Sequence, residues 1–214
     1  MNIAILGPGN MGIALATMWA RRGHHISFSL SNNPAKMRQL LELVENAAFL
    51  PLAAAVTEAD VVVLCLQYDG LDDIYEHKER FEGKLVITCM NDLKPDLSGN
   101  TIGLKTGRTL SVAEEIQALI TNAFVVEAFT TVFAVNIRSL KRARSKEKGT
   151  VFYCTDHADK VPVVEKLIDD LGYRATNAGK LKNARTLETL GTIWYQLAVI
   201  SSAYPNHELQ IVKH

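Results

Sequence analysis

The stretch that most constrains this chain is its first dozen residues, where Asn2–Leu6 (NIAIL) runs directly into Gly7-Pro8-Gly9-Asn10-Met11-Gly12. The apolar pentapeptide reads as a short strand. From Ile13 the spacing changes, and Ile13, Ala16, Thr17 and Ala20 fall on one side of a helix running to about Arg22. A G-x-G-x-x-G match gains meaning only in such a strand–turn–helix setting. Each glycine then has its own task. Gly7 permits the sharp turn off the strand, Gly9 lets the backbone approach a pyrophosphate, and Gly12 lets the helix lie close on the sheet. The N–H groups at the helix start favour an anion without needing a lysine. A glycine turn can also be architecture with no ligand, but in this setting a dinucleotide is the favoured reading.

The alternation of strand and helix continues along the chain. His25–Leu30 reads as a second strand, with Pro34 at a first helical position before a helix over 35–44. The end of that strand usually selects the cofactor, because an acid there binds the ribose diol of NAD and repels a 2′-phosphate. Here the residues are Leu30, Ser31, Asn32 and Asn33, with Lys36 and Arg38 nearby and no acid before Glu42. Hydroxyl, amide and cation suit a phosphate, so NADP is expected over NAD, although Ser31 and the asparagines also suit a plain helix cap. Ala59–Leu66 is apolar throughout, as a central parallel strand should be. Gln67 leaves its carboxyl end, where ligands bind in open α/β sheets. A polar helix is expected over 71–81 and a strand over 84–89, and Asn91 then lies on the same edge as Gly9 and Gln67. It suits either an amide contact to the nicotinamide or a simple turn.

The stretch from Asp92 to Thr109 has no clear period, and loops of that length are usually binding loops or lids. Ser111-Val112-Ala113-Glu114 has the form of a capping box opening a helix to about Ile120. A strand over 123–128 follows, then Phe129-Thr130-Thr131. The basic run over 141–148 contains Glu147 and no aromatics, which favours a solvated loop over contact with an anionic substrate tail. A strand over 150–154, a helix over 156–171 stopped by Gly172, a short strand over 173–177 and a long helix over 181–202 close the chain. In that last helix Leu187, Leu190, Trp194, Leu197 and Ala198 have core spacing. The expectation is an α/β fold, a doubly wound, mostly parallel sheet of Rossmann type. Residues 1–140 form the nucleotide-binding domain and 141–214 a small C-terminal α/β extension on the same sheet.

Composition adds exclusions. With 23 basic and 23 acidic residues, no net field draws nucleic acid or a membrane surface. Cys65, Cys89 and Cys154 show no C-x-x-C spacing, so neither a disulfide framework nor a metal site is suggested. Each sits in an apolar run, where a free thiol behaves as a small buried hydrophobe in a reduced cytoplasm. The N-terminus lacks the basic region of a signal peptide, and the apolar stretch over 192–204 is too short to span a bilayer. A cytoplasmic protein is expected, with a homodimer through the apolar final helix as its assembly.

Three later blocks carry a more specific resemblance. They are Ser111-Val112-Ala113-Glu114-Glu115-Ile116, then Val125-Val126-Glu127-Ala128-Phe129-Thr130-Thr131-Val132, and the close of the chain. That close runs Leu171-Gly172-Tyr173, Asn177-Ala178-Gly179-Lys180-Leu181 and Asn183-Ala184-Arg185-Thr186-Leu187-Glu188. Together with the glycine turn they resemble, nearly end to end, the deazaflavin (coenzyme F420)-dependent NADP oxidoreductases. The resemblance implies NADP(H) bound through Gly9, Asn10 and Met11, with its 2′-phosphate near Ser31 and Asn32. It also implies a nicotinamide cleft walled by the residues after the strands ending at Leu66, Cys89 and Ala128. The chain departs from the family pattern at Thr130-Thr131, at Asn91-Asp92, and in lacking an arginine after Ser31.

Hydride transfer between a nicotinamide and a deazaflavin asks the protein for alignment, electrostatics and exclusion of water. Reacting carbons must meet at about 3–3.5 Å. No Ser/His/Asp set, carboxylate pair or metal-spaced histidines are evident, and His24 and His25 are expected to be solvated. The expected hydride partner is a deazaflavin, a flavin or a small organic acceptor; with a small carbonyl or imine as substrate instead, Thr130, Thr131 or Tyr68 could donate to it. A non-catalytic NADP(H) sensor or subunit remains the alternative. An imine or 2-hydroxyacid reductase is disfavoured, since those need a large helical domain after about residue 180.

Overall fold

The computed structural model describes residues 1–31, 33–91, 93–94, 103–104, 109–139, 148–201, 204 and 207–212. Strand β1 (Asn2–Leu6) leads into α1 (Asn10–Ala20), then β2 (His25–Ser29), α2 (Pro34–Leu43) and β3 (Ala47–Phe49). Helix α3 (Leu52–Glu58), β4 (Val61–Leu64), α4 (Leu71–Glu76) and β5 (Leu85–Thr88) follow. A short antiparallel pair, β6 (Leu93–Lys94) with β7 (Gly103–Leu104), precedes α5 (Val112–Leu119), β8 (Phe124–Ala128) and α6 (Ala134–Ile137). The chain closes with β9 (Thr150–Thr155), α7 (Val161–Asp170), β10 (Arg174–Asn177) and α8 (Ala184–Ile200).

Eight strands form one sheet in the order β3-β2-β1-β4-β5-β8-β9-β10. The first six are mutually parallel, β9 runs antiparallel to β8, and β10 pairs parallel with β9. This is the expected doubly wound sheet. Its strand order reverses between β1 and β4, and that switch point opens a crevice at the carboxyl ends of the strands. Alternate β1 side chains serve opposite faces: Ile3 and Ile5 join the layer of α1 and α7, Ala4 and Leu6 that of α3 and α5. Trp19 anchors the first layer, donating from Nε1 to the Leu167 carbonyl (2.9 Å) and meeting Phe129 edge-on at 6.1 Å.

The structure corrects several local expectations. The segment over 71–81 is broken at His77 (φ −123°), and Leu71, Ile74 and Phe81 are buried, so it is less exposed than its polarity suggests. His24 is 4% exposed rather than solvated, with Nε2 3.1 Å from Asp170 Oδ2. In α8 the inward stripe is Ala184, Leu187, Glu188, Gly191, Thr192 and Ala198, while Leu197 stands 54% exposed. The helix turns this face inward because Gly191 lies against the main chain of Thr130. A Cβ there would stand 2.6 Å from the Thr130 carbonyl oxygen. No described helix is long and apolar enough to cross a membrane.

Candidate functional site

The glycine turn sits at the switch point between β1 and β4. Gly7 adopts φ +89°, and a Cβ there would lie 2.8 Å from the Cys65 carbonyl oxygen. A side chain is therefore barred twice, by backbone conformation and by contact with the end of β4. The Gly7 N–H donates to the Ser29 carbonyl (3.1 Å), and its own carbonyl accepts the Gly9 N–H (2.8 Å). Gly9 is the N-cap of α1, and a Cβ built on it meets nothing within 4 Å. Gly12 is the reverse case, where a Cβ would stand 2.7 Å from the Gly7 carbonyl oxygen and 2.9 Å from Ile5 Cγ2. Pro8 is buried, Asn10 exposed and Met11 half-buried. No side chain caps α1 and no acid stands in its first turn. Its leading amides have no acceptor within the helix.

Leu66 lies over this turn, with Cδ2 2.8 Å from where a Gly7 Cβ would be. Gln67 is exposed beside it, and its carbonyl accepts the Gly70 N–H (2.9 Å). Asn91 is half-buried just past β5. At the other side of the turn, a cavity of about 410 Å³ is lined by Ser29, Leu30, Ser31, Met37, Phe49, Leu50 and Pro51. Leu30 holds φ +58°, a conformation that costs a branched side chain energy and is concentrated at functional sites. Asn32, Asp92, the Lys36 side chain, most of the 92–109 stretch and residues 141–147 of the basic run lie outside the described residues.

The two threonines part company. Thr130 follows Phe129, which has φ +71°, and its Oγ1 donates to Glu127 Oε1 at 2.5 Å. Thr131 is 2% exposed, lies in a closely packed cluster with Asn136, Tyr173 and His207, and its hydroxyl has no partner among the described residues. The Tyr68 hydroxyl donates to Glu115 Oε2 (3.0 Å).

Two acids are buried beyond Thr130. Glu127 is wholly buried, and burial pushes its carboxyl up to about 8 against the lowering effect of the Thr130 hydroxyl, with Glu188 adding repulsion. Burial also raises Glu188, to about 7, opposed by the Val112 and Ala113 amides. Burial first and the nearby Glu127 second raise the Cys154 thiol. A glutamate inside the apolar run AFVVEA was the available signal for Glu127. The partners of Glu188 are too distant in sequence for any such signal.

Over residues 2–92 the chain matches the sequence model of the family described as NADP oxidoreductase coenzyme F420-dependent. An F420-dependent NADP reductase of Methanocaldococcus jannaschii is 29% identical over 206 residues, covering 89% of either chain. Among solved structures, a candidate F420-dependent NADP reductase from Arthrobacter sp. FB24 superposes with a TM-score of 0.85 over the whole of both chains at 24% identity. A hypothetical protein from Sinorhizobium meliloti has a TM-score of 0.72 at 26% identity, over 86% of this chain and 88% of its own. An imine reductase from Myxococcus stipitatus in complex with NADP+ has a TM-score of 0.70 at 16% identity, and this chain spans 64% of its length. The resemblance to the F420-dependent NADP oxidoreductases therefore holds, and the sheet is theirs.

Proposed function

We infer that this chain, an NADP-linked oxidoreductase by its family resemblance, passes a hydride between the nicotinamide of NADP(H) and a deazaflavin of the F420 type. Flavins and small organic acceptors are the competing partners. The observation that carries the reading is the division of labour in one turn: Gly7 left-handed, Gly9 open above, Gly12 pressed onto Gly7 and Ile5. A turn that needed glycine only for architecture would have no reason to keep Gly9 clear at an uncapped helix start.

The rest of the nucleotide follows the sheet edge. Ser31, with Asn32 and Lys36, is assigned to the 2′-phosphate. Among the described residues no acid lines the cavity beside Ser31, and its Met37, Phe49 and Leu50 walls suit an adenine face. Leu66, Gln67 and Asn91 are assigned to the nicotinamide end. The bound cofactor supplies the hydride chemistry, while the protein aligns the rings and excludes water. Reducing a deazaflavin also consumes a proton. Glu127 keeps one at neutral pH, and the Thr130 hydroxyl bonded to it lies at the same sheet edge. Of the two threonines, Thr130 is therefore the one assigned to the acceptor.

The setting we assign is the cytoplasm, in keeping with three free cysteines. The assembly is a homodimer through the outer face of α8, where Ile193, Leu197 and Ile200 are about half exposed. The test is anaerobic mixing of protein and NADPH with coenzyme F420, FMN or a quinone, followed through nicotinamide absorbance. Oxidation of NADPH by the deazaflavin supports the reading. Tight NADPH binding with no turnover on any acceptor overturns it in favour of a sensor.

A further inference from the structure

Cys65 and Cys89 each stand one residue beyond a strand end, and those ends, Leu64 and Thr88, are register partners across β4 and β5. The cysteines thus face each other across one strand spacing, about 4.8 Å, which falls within the roughly 4.4–6.8 Å Cα separation of disulfides. Their Sγ atoms are 3.3 Å apart, and both residues are half-buried. Cys154 is buried elsewhere, with Sγ 3.8 Å from Glu127 Oε2. The pair also touches the glycine turn. The Cys65 N–H donates to the Leu6 carbonyl (2.8 Å), and a Cβ on Gly12 would lie 3.4 Å from Cys65 Cβ. Hydride transfer as assigned above uses neither thiol.

We propose that Cys65 and Cys89 form a reversible disulfide by exchange with a low-molecular-weight disulfide, and that this bond weakens nucleotide binding at the turn above it. One cysteine thiolate attacks a sulfur of the small disulfide, forming a mixed disulfide and releasing one small thiol. The second cysteine attacks the protein sulfur of that mixed bond and releases the other. Two protein thiols are oxidised, two protons leave, and the small disulfide is reduced to two thiols. The hydrogen bond from Cys89, with burial, holds the Cys65 thiol well above its usual range. Closing the sulfurs from 3.3 Å to about 2.05 Å reorients and fixes the side chain of Cys65, whose carbonyl lies against Gly7 and whose Cβ lies against Gly12. This second effect rests on the nucleotide reading given above.

The experiment treats the purified full chain with oxidised glutathione, alkylates the remaining thiols and maps peptides by mass. Wild type and Cys154→Ser should both yield a Cys65–Cys89 crosslink lacking its thiol hydrogens and reversed by dithiothreitol. Cys65→Ser should stop at glutathione on Cys89. Absence of the crosslink, or a crosslink through Cys154, overturns the proposal. The oxidised protein should bind NADPH at least about threefold more weakly than the reduced protein, and equal affinities overturn the coupling. If the reduced chain binds no NADPH, the nucleotide reading fails on its own, while the crosslink still decides the disulfide.

Discussion

The Glu188 carboxylate of α8 accepts the main-chain N–H groups of Val112 (3.1 Å) and Ala113 (3.3 Å), capping the first turn of α5 from a distant helix. Beside it, Arg185 donates to both oxygens of Glu114 (2.7 and 2.6 Å). Glu114 also closes the capping box on Ser111, accepting its N–H at 2.9 Å while Ser111 Oγ accepts the Glu114 N–H at 3.2 Å. The Arg185–Glu188 segment is therefore the clamp that fixes α8 over α5, next to the strand that carries Glu127 and leads into Thr130. Glu188→Ala leaves two buried amides without partners, at a cost of about 1–3 kcal/mol. Thermal unfolding followed by circular dichroism should drop by several degrees. Arg185→Ala, at a half-exposed pair, should cost under about 1 kcal/mol.

Gly9 and Gly12 predict opposite outcomes for the same substitution. Gly9→Ala meets nothing within 4 Å and keeps φ −80°, so folding should be unaffected. NADPH affinity should nevertheless fall at least about tenfold, because the new methyl stands where the pyrophosphate approaches. Gly12→Ala pushes a methyl to 2.7 Å from the Gly7 carbonyl oxygen. It should lower the unfolding midpoint and binding together. Paired denaturation and fluorescence titrations of the two variants separate these effects.

Ser31→Ala tests the phosphate assignment. Losing one hydrogen bond to a charged group costs about 1.5–3 kcal/mol. NADPH should weaken by about tenfold or more, while NADH affinity stays unchanged, as read by titration of both nucleotides. A parallel loss for NADH would remove Ser31 from the 2′-phosphate.

The buried acids predict how stability varies with pH. Glu127 is raised from an ordinary 4.5 to about 8, and Glu188 to about 7. The folded state then holds protons that the unfolded state has released. Their contribution is complete below about pH 4.5 and is lost as pH rises through 7 to 8. Glu114 has the opposite sign. It is lowered to about 2, first by the Arg185 hydrogen bond, so its contribution is present above about pH 4.5 and disappears as pH falls toward 2. Thermal midpoints should fall between pH 6 and pH 9 in the wild type, and fall less in Glu127→Gln, which cannot ionise.

What the sequence disclosed depended on how local the cause was. Strand β1, the turn and α1 were readable because the left-handed turn at Gly7 and the packing of Gly12 on Gly7 and Ile5 are set within a few residues. The Ser111 capping box was readable for the same reason. The direction of β9 was not, because apolar alternation carries no sign of whether a neighbour runs parallel. Strand β3 and helix α3 escaped because Ala47-Ala48-Phe49 and the alanine-rich 52–58 run are short and weakly patterned. The Cys65–Cys89 contact depends on register, and the burial of His24 on Asp170, 146 positions away. In α8 the stripe Leu187, Leu190, Trp194, Leu197 and Ala198 put Leu197 inside, while Glu188 and Thr192 occupy the inner face, where the Val112 and Ala113 amides donate to Glu188 and Gly191 lies against Thr130.

The most direct test of the account is a fluorescence titration of the purified protein with NADPH and with NADH. An NADP site at the glycine turn predicts NADPH binding at least tenfold tighter, about 1.4 kcal/mol, with the preference abolished by Ser31→Ala. Binding of neither nucleotide, or a preference for NADH, would contradict it.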